Sequence, residues 1–123
     1  MSSILLDTNI LIYLLQGNTE IRSILENKIW IISFISEIEL KMKDGMSSSE
    51  IKAVNALLNE CFIIEMNNAI KERAIKNAKK YKLKLADSII LATAQEYEVA
   101  MITADKVFRK PAEASNDVFL FVP

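Results

Sequence analysis

The sequence predicts an α/β domain of three layers, in which a mainly parallel sheet lies between helices. Short apolar runs that are typical of buried strands alternate along the chain with longer segments of helical periodicity. This alternation favours parallel strands joined by helical crossovers. The chain has 123 residues, 51% of them hydrophobic, so it can bury one core but is too short for two. We therefore expect residues 1–123 to form a single domain.

In the first half of the chain, turn and capping residues separate the predicted elements. Asp7 follows the first apolar run, and Gly17 ends the helix that comes next. Ser47, with Glu50 three residues later, forms a capping box that predicts another helix start. The predicted elements are strand 4–6, helix 9–16, helix 20–26, strand 29–33, a helix that opens between residues 33 and 36 and ends near residue 43, and a helix capped by residues 47–50 that ends near residue 59.

The second half continues the alternation. Asn67 or Asn68 caps a basic amphipathic helix, and a later helix is apolar on nearly every side and so should pack into the core. The predicted elements are strand 61–64, a helix capped at residue 67 or 68 that ends near residue 81, helix 86–97, strand 100–103 and strand 118–122. The inner stripe of the capped helix is predicted to hold Ile70, Ala74, Ala78 and Tyr81.

Composition excludes several classes of site. The chain has no histidine, so neither a serine–histidine or cysteine–histidine nucleophile nor a histidine zinc site is available. Its single cysteine, Cys61, cannot form an intramolecular disulfide and indicates a reducing compartment. No apolar run is long enough to span a membrane, and the amino terminus has no basic leader. We expect a cytoplasmic protein without a membrane partner.

Four acidic residues stand beside apolar elements, in the segments ILLDTN, SFISEIEL, LADSII and MITAD. They are Asp7, Glu39, Asp87 and Asp105. If the strands are parallel, their carboxyl ends share one edge of the sheet and the four side chains converge there. Clustered carboxylates repel one another and raise their own pKa values unless a cation compensates them. Mg²⁺ or Mn²⁺ prefers oxygen ligands, so the pattern indicates a metal-dependent phosphodiesterase.

Each acid alone has a simpler interpretation. Asp7 can cap the helix that follows it, and Asp87 can be a plain helix N-cap. Asp105 can open a turn or cap a short helix, and Glu39 can pair with Lys43. The joint pattern favours the metal site over these alternatives.

Helix geometry separates Glu39 from Glu37. We place the inner face of their helix at Ile35, Ile38 and Met42. At about 100° per residue, Glu39 borders this face and Glu37 lies on the opposite side, beside Lys41 at i+4. Ser36 is close enough to hold the Glu39 carboxylate or a bound water.

Charge is distributed unevenly along the chain. Residues 71–84 carry seven basic side chains and one acidic side chain, whereas the segments on either side are acidic. A basic helix beside an acidic pocket suits a nuclease, although a solvated helix face is the simpler interpretation. The candidates for contact with an RNA backbone are Lys76, Lys79, Lys80, Lys106, Arg109 and Lys110.

The segments LLDTNILIYLL, ISFISEIEL, LKLADSIILATA and MITADKVF, in this order over most of the chain, resemble the PIN-domain ribonucleases. The likeness is strongest to the VapC-type toxins of toxin–antitoxin systems. The resemblance implies a five-stranded parallel sheet of order 3-2-1-4-5 and endoribonuclease activity with Mg²⁺ or Mn²⁺. It also implies that Asp7, Glu39, Asp87 and Asp105 are the catalytic and metal-binding residues, with Asn9, Ser36 and Thr103 as supporting polar residues.

The sequence departs from the family pattern at three positions. Ala86 replaces a proline before Asp87, Gly45 lies later than the glycine of many members, and Val107 replaces a second acid after Asp105. Because Val107 removes one possible ligand, a catalytically silent PIN module that only binds a partner or RNA is the alternative function.

The resemblance also implies a homodimer and a complex with an antitoxin protein. The apolar first helix favours the dimer, because its side chains exceed what one face of a sheet can bury. The residues concerned are Ile10, Ile12, Tyr13 and Leu14.

Overall fold

A parallel sheet of five strands forms the centre of the computed structural model, which describes residues 1–123. Its order is β3-β2-β1-β4-β5, as the resemblance implied, and Leu5 in β1 pairs with Ile31 in β2 and with Met101 in β4. The strands are β1 (Ser3–Leu6), β2 (Ile29–Ser33), β3 (Cys61–Ile64), β4 (Ala100–Thr103) and β5 (Val118–Leu120).

Seven α-helices connect and cover the strands. They are α1 (Thr8–Leu15), α2 (Thr19–Leu25), α3 (Phe34–Lys41), α4 (Ser48–Asn59), α5 (Asn68–Tyr81), α6 (Leu85–Glu96) and α7 (Arg109–Ala114), and a 3-10 helix over Lys106–Phe108 precedes α7. None of them combines the length and the apolar character that a membrane span requires. The sequence predicted all of the α-helices except α7, whose third residue is Pro111; proline fits the first turn because no helical hydrogen bond is lost there.

Side chains alternate between the two faces of the sheet, and each face has its own core. In β1, Ile4 and Leu6 pack with α1, α2 and α4 on one face, whereas Leu5 packs with α6 on the other. A third group, built on Ile70 of α5 and Ile89 of α6, extends the second core. The three-layer prediction is therefore confirmed.

The inner stripe of α5 includes one polar residue that the sequence did not indicate. Asn77 is buried, and its amide nitrogen donates to Gln95 Oε1 at 2.9 Å and to the Ser88 carbonyl oxygen at 3.4 Å. Ala78, which was predicted to lie on the stripe, is only partly buried. These contacts tie α5 to α6, the helix that carries Asp87.

Three of the four apolar residues of the first helix pack within the protomer, so the reason given above for a dimer is wrong for all of them except Ile12. Ile10 and Leu14 are buried in the core beside the sheet. Tyr13 packs edge-on against Phe121, with ring centroids 5.8 Å apart. Only Ile12 of the four residues is exposed.

Phe108 is fully buried and anchors the segment that follows Asp105. We predict that Phe108→Ala lowers the free energy of unfolding by about 3–5 kcal/mol, because it removes a large side chain and leaves a cavity. Urea denaturation followed by circular dichroism measures this change. Phe119→Ala is the control: Phe119 is 53% exposed, so its loss should cost less than about 1 kcal/mol. Equal losses in both variants would contradict this packing.

Candidate active site

The four predicted acids lie at or near the carboxyl edge of the sheet. Asp7 follows β1 directly, and Asp105 follows β4 after one residue. Glu39 lies in α3, which begins directly after β2, and Asp87 is the third residue of α6. Ligands bind beyond the carboxyl ends of strands in open α/β sheets, so this edge is the candidate site.

Asp7 is almost fully buried, with 3% of its surface exposed, and three donors hold its carboxylate. Oδ1 accepts from the Thr8 backbone N–H at 2.8 Å. Oδ2 accepts from the Thr103 hydroxyl at 2.6 Å and from the Asn9 amide at 3.0 Å. A carboxylate oxygen has two lone-pair directions, so Oδ2 is satisfied and Oδ1 keeps one free for a ligand.

Asn9 and Thr103 join the end of β1 to the end of β4. Asn9 Oδ1 accepts from the Ala104 backbone N–H at 2.9 Å, and Thr103 Oγ1 accepts from the Asp105 backbone N–H at 3.0 Å. The backbone adds a direct bond from Asp7 N–H to the Ile102 carbonyl oxygen at 3.0 Å. The network fixes the backbone of Asp105 relative to Asp7.

Thr8 links α1 to α3, a role that the sequence analysis missed. Its Oγ1 lies 2.5 Å from Glu39 Oε1 and 2.9 Å from the buried Ser36 Oγ. A hydroxyl has one proton, and the carboxylate is the stronger acceptor, so we assign the Thr8 proton to Glu39 and let Ser36 donate to Thr8. The available signal was the position of Thr8 between Asp7 and Asn9, in the first turn of a helix at the site.

The α3 inner face differs from the predicted one. Ile38 is 51% and Met42 69% exposed, whereas Ser36 and Leu40 are buried. Glu39 is exposed, and its hydrogen bond to Thr8, not a buried helix face, directs it to the site.

The sequence allowed each of the four acids a simpler structural role, either a helix cap or an ion pair. The structure shows this role for Asp7 and Asp105 but not for Asp87 and Glu39. Asp7 does cap α1, and Asp105 Oδ1 caps the 3-10 helix by accepting from the Val107 backbone N–H at 3.0 Å. Lys84, not Asp87, occupies the N-cap position of α6. Lys43 pairs with Glu50 at 3.7 Å and leaves Glu39 without a basic partner.

The electrostatics show that the four acids share one environment. Burial, and then the charges of Asp7, Asp105 and Glu39, raise the pKa of Asp87 to about 6, against the opposing charge of Lys84. Burial is also the main cause that raises the pKa of Asp7; the charge of Glu39 adds to it, and hydrogen bonds from Thr103, Thr8 and Asn9 oppose it.

None of the four carboxylates forms a salt bridge, so no ion pair offsets their mutual repulsion. No three of them approach closely enough in this structure to form a complete metal-binding group. The donor set nevertheless fits a hard divalent cation, because every available ligand is a carboxylate, amide or hydroxyl oxygen. A cation would also remove the repulsion that raises these pKa values.

The predicted basic residues are exposed and form no salt bridges, whereas Arg73 pairs with Glu96 at 2.6 Å. They lie on two elements, α5 and the segment that follows Asp105. They are Lys76, Lys79, Lys80, Lys106, Arg109 and Lys110.

The architecture has counterparts among solved structures. A toxin–antitoxin complex from Klebsiella pneumoniae contains a chain 37% identical to this one, with a TM-score of 0.74 over 84% of this chain and 87% of that chain. VapBC-1 from nontypeable Haemophilus influenzae is 26% identical, with a TM-score of 0.72 over 90% and 93%. VapBC2 from Rickettsia felis, bound to a DNA fragment, shares the fold at 16% identity, with a TM-score of 0.78 over 97% of both chains.

A search of curated proteins found no match for the chain. Comparison with protein families agrees with the structural matches. A family model described as the PIN domain matches residues 4–114, which is most of the chain. The protein belongs to the PIN-domain family, whose members are generally nucleases.

Proposed function

We propose that the protein is a Mg²⁺- or Mn²⁺-dependent endoribonuclease and the toxin of a toxin–antitoxin pair. The observation that carries the metal dependence is the placement of four carboxylates at or near the carboxyl edge of the sheet, none of them in a salt bridge. Membership of the PIN family and the 37% identity to a chain of a toxin–antitoxin complex support the nuclease and the toxin.

The proposed ligands are Asp7, Glu39 and Asp87, with Asp105 acting directly or through water. Asp7 is held rigidly by its three hydrogen bonds, so its free lone pair has a fixed direction. When bound, a divalent cation offsets negative charge on a phosphodiester and makes coordinated water more acidic.

The chain's own residues supply position and charge. Asn9 and Thr103 keep Asp7 and the Asp105 backbone in register, and Thr8 orients Glu39. The chain has no histidine, so it has no imidazole that could move a proton near neutral pH.

We also propose that an antitoxin segment covers the cleft between α1, α3 and α4. This cleft has a volume of about 400 Å³ and is lined mainly by apolar side chains, among them Ile12, Leu40 and Val54. Glu39 lies on its wall, so an occupant would also reach the acidic site. A partly apolar segment with a basic side chain would match both features. A homodimer is part of the same proposal and rests on the family alone.

Glu39→Gln should reduce RNA cleavage by about 100-fold or more, because it removes a ligand charge that Thr8 directs into the site. Glu37→Gln is the matched control, since Glu37 pairs with Lys41 at 3.3 Å outside the site, and it should keep wild-type activity. Cleavage of labelled single-stranded RNA in Mn²⁺ and in EDTA measures both variants. If the wild-type protein cleaves RNA equally well in EDTA and in Mn²⁺, the metal dependence is excluded. If it cleaves RNA in neither condition, the alternative of a silent binding module is favoured.

Asp87→Asn should stabilise the metal-free protein above about pH 6. The Asp87 pKa is about 6 in the folded chain against an ordinary value of 3.8, so the folded state holds the proton more tightly. Ionisation therefore destabilises the fold: the cost is absent below the ordinary pKa, grows as pH rises towards 6 and is then constant.

We expect Asp87→Asn to gain about 1 kcal/mol at pH 7.5 and nothing at pH 3.5, a value reduced for the solvent screening of a partly exposed group. Urea denaturation in EDTA at the two pH values measures the difference. An equal effect at both pH values would show that Asp87 is not subject to the repulsion described above.

Ile12→Glu should prevent co-purification of the chain with its cognate antitoxin, because it places a charge in the apolar cleft. Ile24→Glu is the control, since Ile24 is about as exposed as Ile12 but lies on α2, outside the cleft. Co-expression followed by affinity purification measures the complex. Retention of the partner by both variants would contradict the proposed contact.

A further inference from the structure

Two basic segments that are distant in sequence lie against the same part of the core. The end of α5 and the short loop that joins it to α6 carry Lys80, Lys82 and Lys84, and the segment after Asp105 carries Lys106, Arg109 and Lys110. The first segment contributes Tyr81 and Leu83, and the second contributes Phe108, to one apolar cluster. Tyr81 and Pro111 also line the same cleft, of about 410 Å³.

We propose that these six residues, called the basic wall, bind the backbone of single-stranded RNA and guide it to the acidic site. This inference rests on the proposed ribonuclease function and adds the side from which the substrate enters. The wall borders the acids at both segments, because Lys84 is the N-cap of α6, three residues before Asp87, and Lys106 directly follows Asp105.

Charge assigns the substrate to this side of the site. No residue of the wall forms a salt bridge, so each charge is free to meet a phosphate. On the α3 side, Lys41 pairs with Glu37 and Lys43 with Glu50, so those lysines add little positive field. The unpaired positive charges that adjoin the acids in sequence, Lys84 and Lys106, therefore lie on the α5 and α7 side.

The backbone of Lys82 makes this residue a suitable position for a test. Lys82 follows α5 with a φ of 57°, in the left-handed region that favours glycine. A lysine at this position costs about 1 kcal/mol relative to glycine. Its side chain makes no ion pair, so a change to glycine removes the charge without breaking a salt bridge. Lys80 is held nearby, with its ammonium 5.2 Å from the centre of the Tyr81 ring.

The test uses one variant from each segment, Lys82→Gly and Arg109→Gln, and their combination. Binding of fluorescein-labelled single-stranded RNA is followed by fluorescence anisotropy in EDTA, across a range of salt concentrations. The control is Lys28→Gln with Lys52→Gln, which removes two charges from before β2 and from α4, outside the wall.

Each single variant should weaken RNA binding by about three- to ten-fold and reduce the slope of log K against log salt by about 0.7, the value for one phosphate contact. The double variant should lose both contributions, and the control neither. Lys82→Gly should at the same time keep or raise the melting temperature, because glycine relieves the strained backbone. A loss of binding accompanied by a loss of stability would indicate a structural role and overturn the proposal.

Cleavage separates this inference from the proposed function. In Mn²⁺, the double variant should raise KM about ten-fold or more with little change in kcat, because the wall contacts substrate and transition state alike. Cleavage with an unchanged KM would overturn the basic wall and leave the ribonuclease intact. Wall-dependent binding by a wild-type protein that never cleaves RNA would refute the ribonuclease and leave the wall intact.

Discussion

The buried carboxylate of Asp7 is the constraint on which the rest of the site depends. A carboxylate with 3% of its surface exposed is costly to ionise unless donors or a cation compensate it. The chain supplies three donors: Thr8 and Asn9 open α1, just after β1, and Thr103 ends β4. Satisfying this one charge therefore fixes the ends of β1 and β4 relative to each other.

The hydrogen bonds compensate the charge of Asp7 only in part, and this contributes to the raised pKa of Asp87. The hydrogen bonds lower the pKa of Asp7 but do not overcome its burial, and its charge in turn raises the pKa of Asp87. Carboxylates that serve only the stability of a fold are normally paired with basic side chains, because unpaired charges that repel one another destabilise the folded state. An oxygen-rich, repulsive pocket at the carboxyl edge of a parallel sheet is suited to a divalent cation and a phosphate ester.

The site also separates its neighbours by charge and polarity. On the α1, α3 and α4 side lies an apolar cleft whose lysine, Lys43, is already paired with Glu50. On the α5 and α7 side lies a surface of unpaired lysine and arginine. A protein partner and a nucleic acid could thus approach one set of carboxylates from different directions, which would let binding of the first compete with cleavage of the second.

The strands and six of the seven α-helices could be predicted from the sequence because strands and caps have local signals, whereas the strand order came from the family resemblance. Which face of α3 is buried could not be predicted, because this eight-residue helix has more apolar residues than buried positions. Ile38 and the C-cap residue Met42 are left exposed. Ser36 is buried instead because Thr8 satisfies its hydroxyl, a contact between residues 28 positions apart in the chain. The helix α7 was missed since its sequence, RKPAEA, has no apolar stripe. The long-range hydrogen bond between Thr8 and Ser36 sets the buried face of α3, and packing against Phe108 positions α7.

The most direct test of this account is the pKa of Asp87, measured from its side-chain carboxyl ¹³C shift during a pH titration, without metal and with saturating Mg²⁺. Without metal, the pKa should be about 6, because burial and three neighbouring carboxylates oppose ionisation. With Mg²⁺, it should fall below its ordinary value of 3.8, because the cation favours the ionised form. A metal-free pKa near 3.8 that Mg²⁺ leaves unchanged would contradict the account.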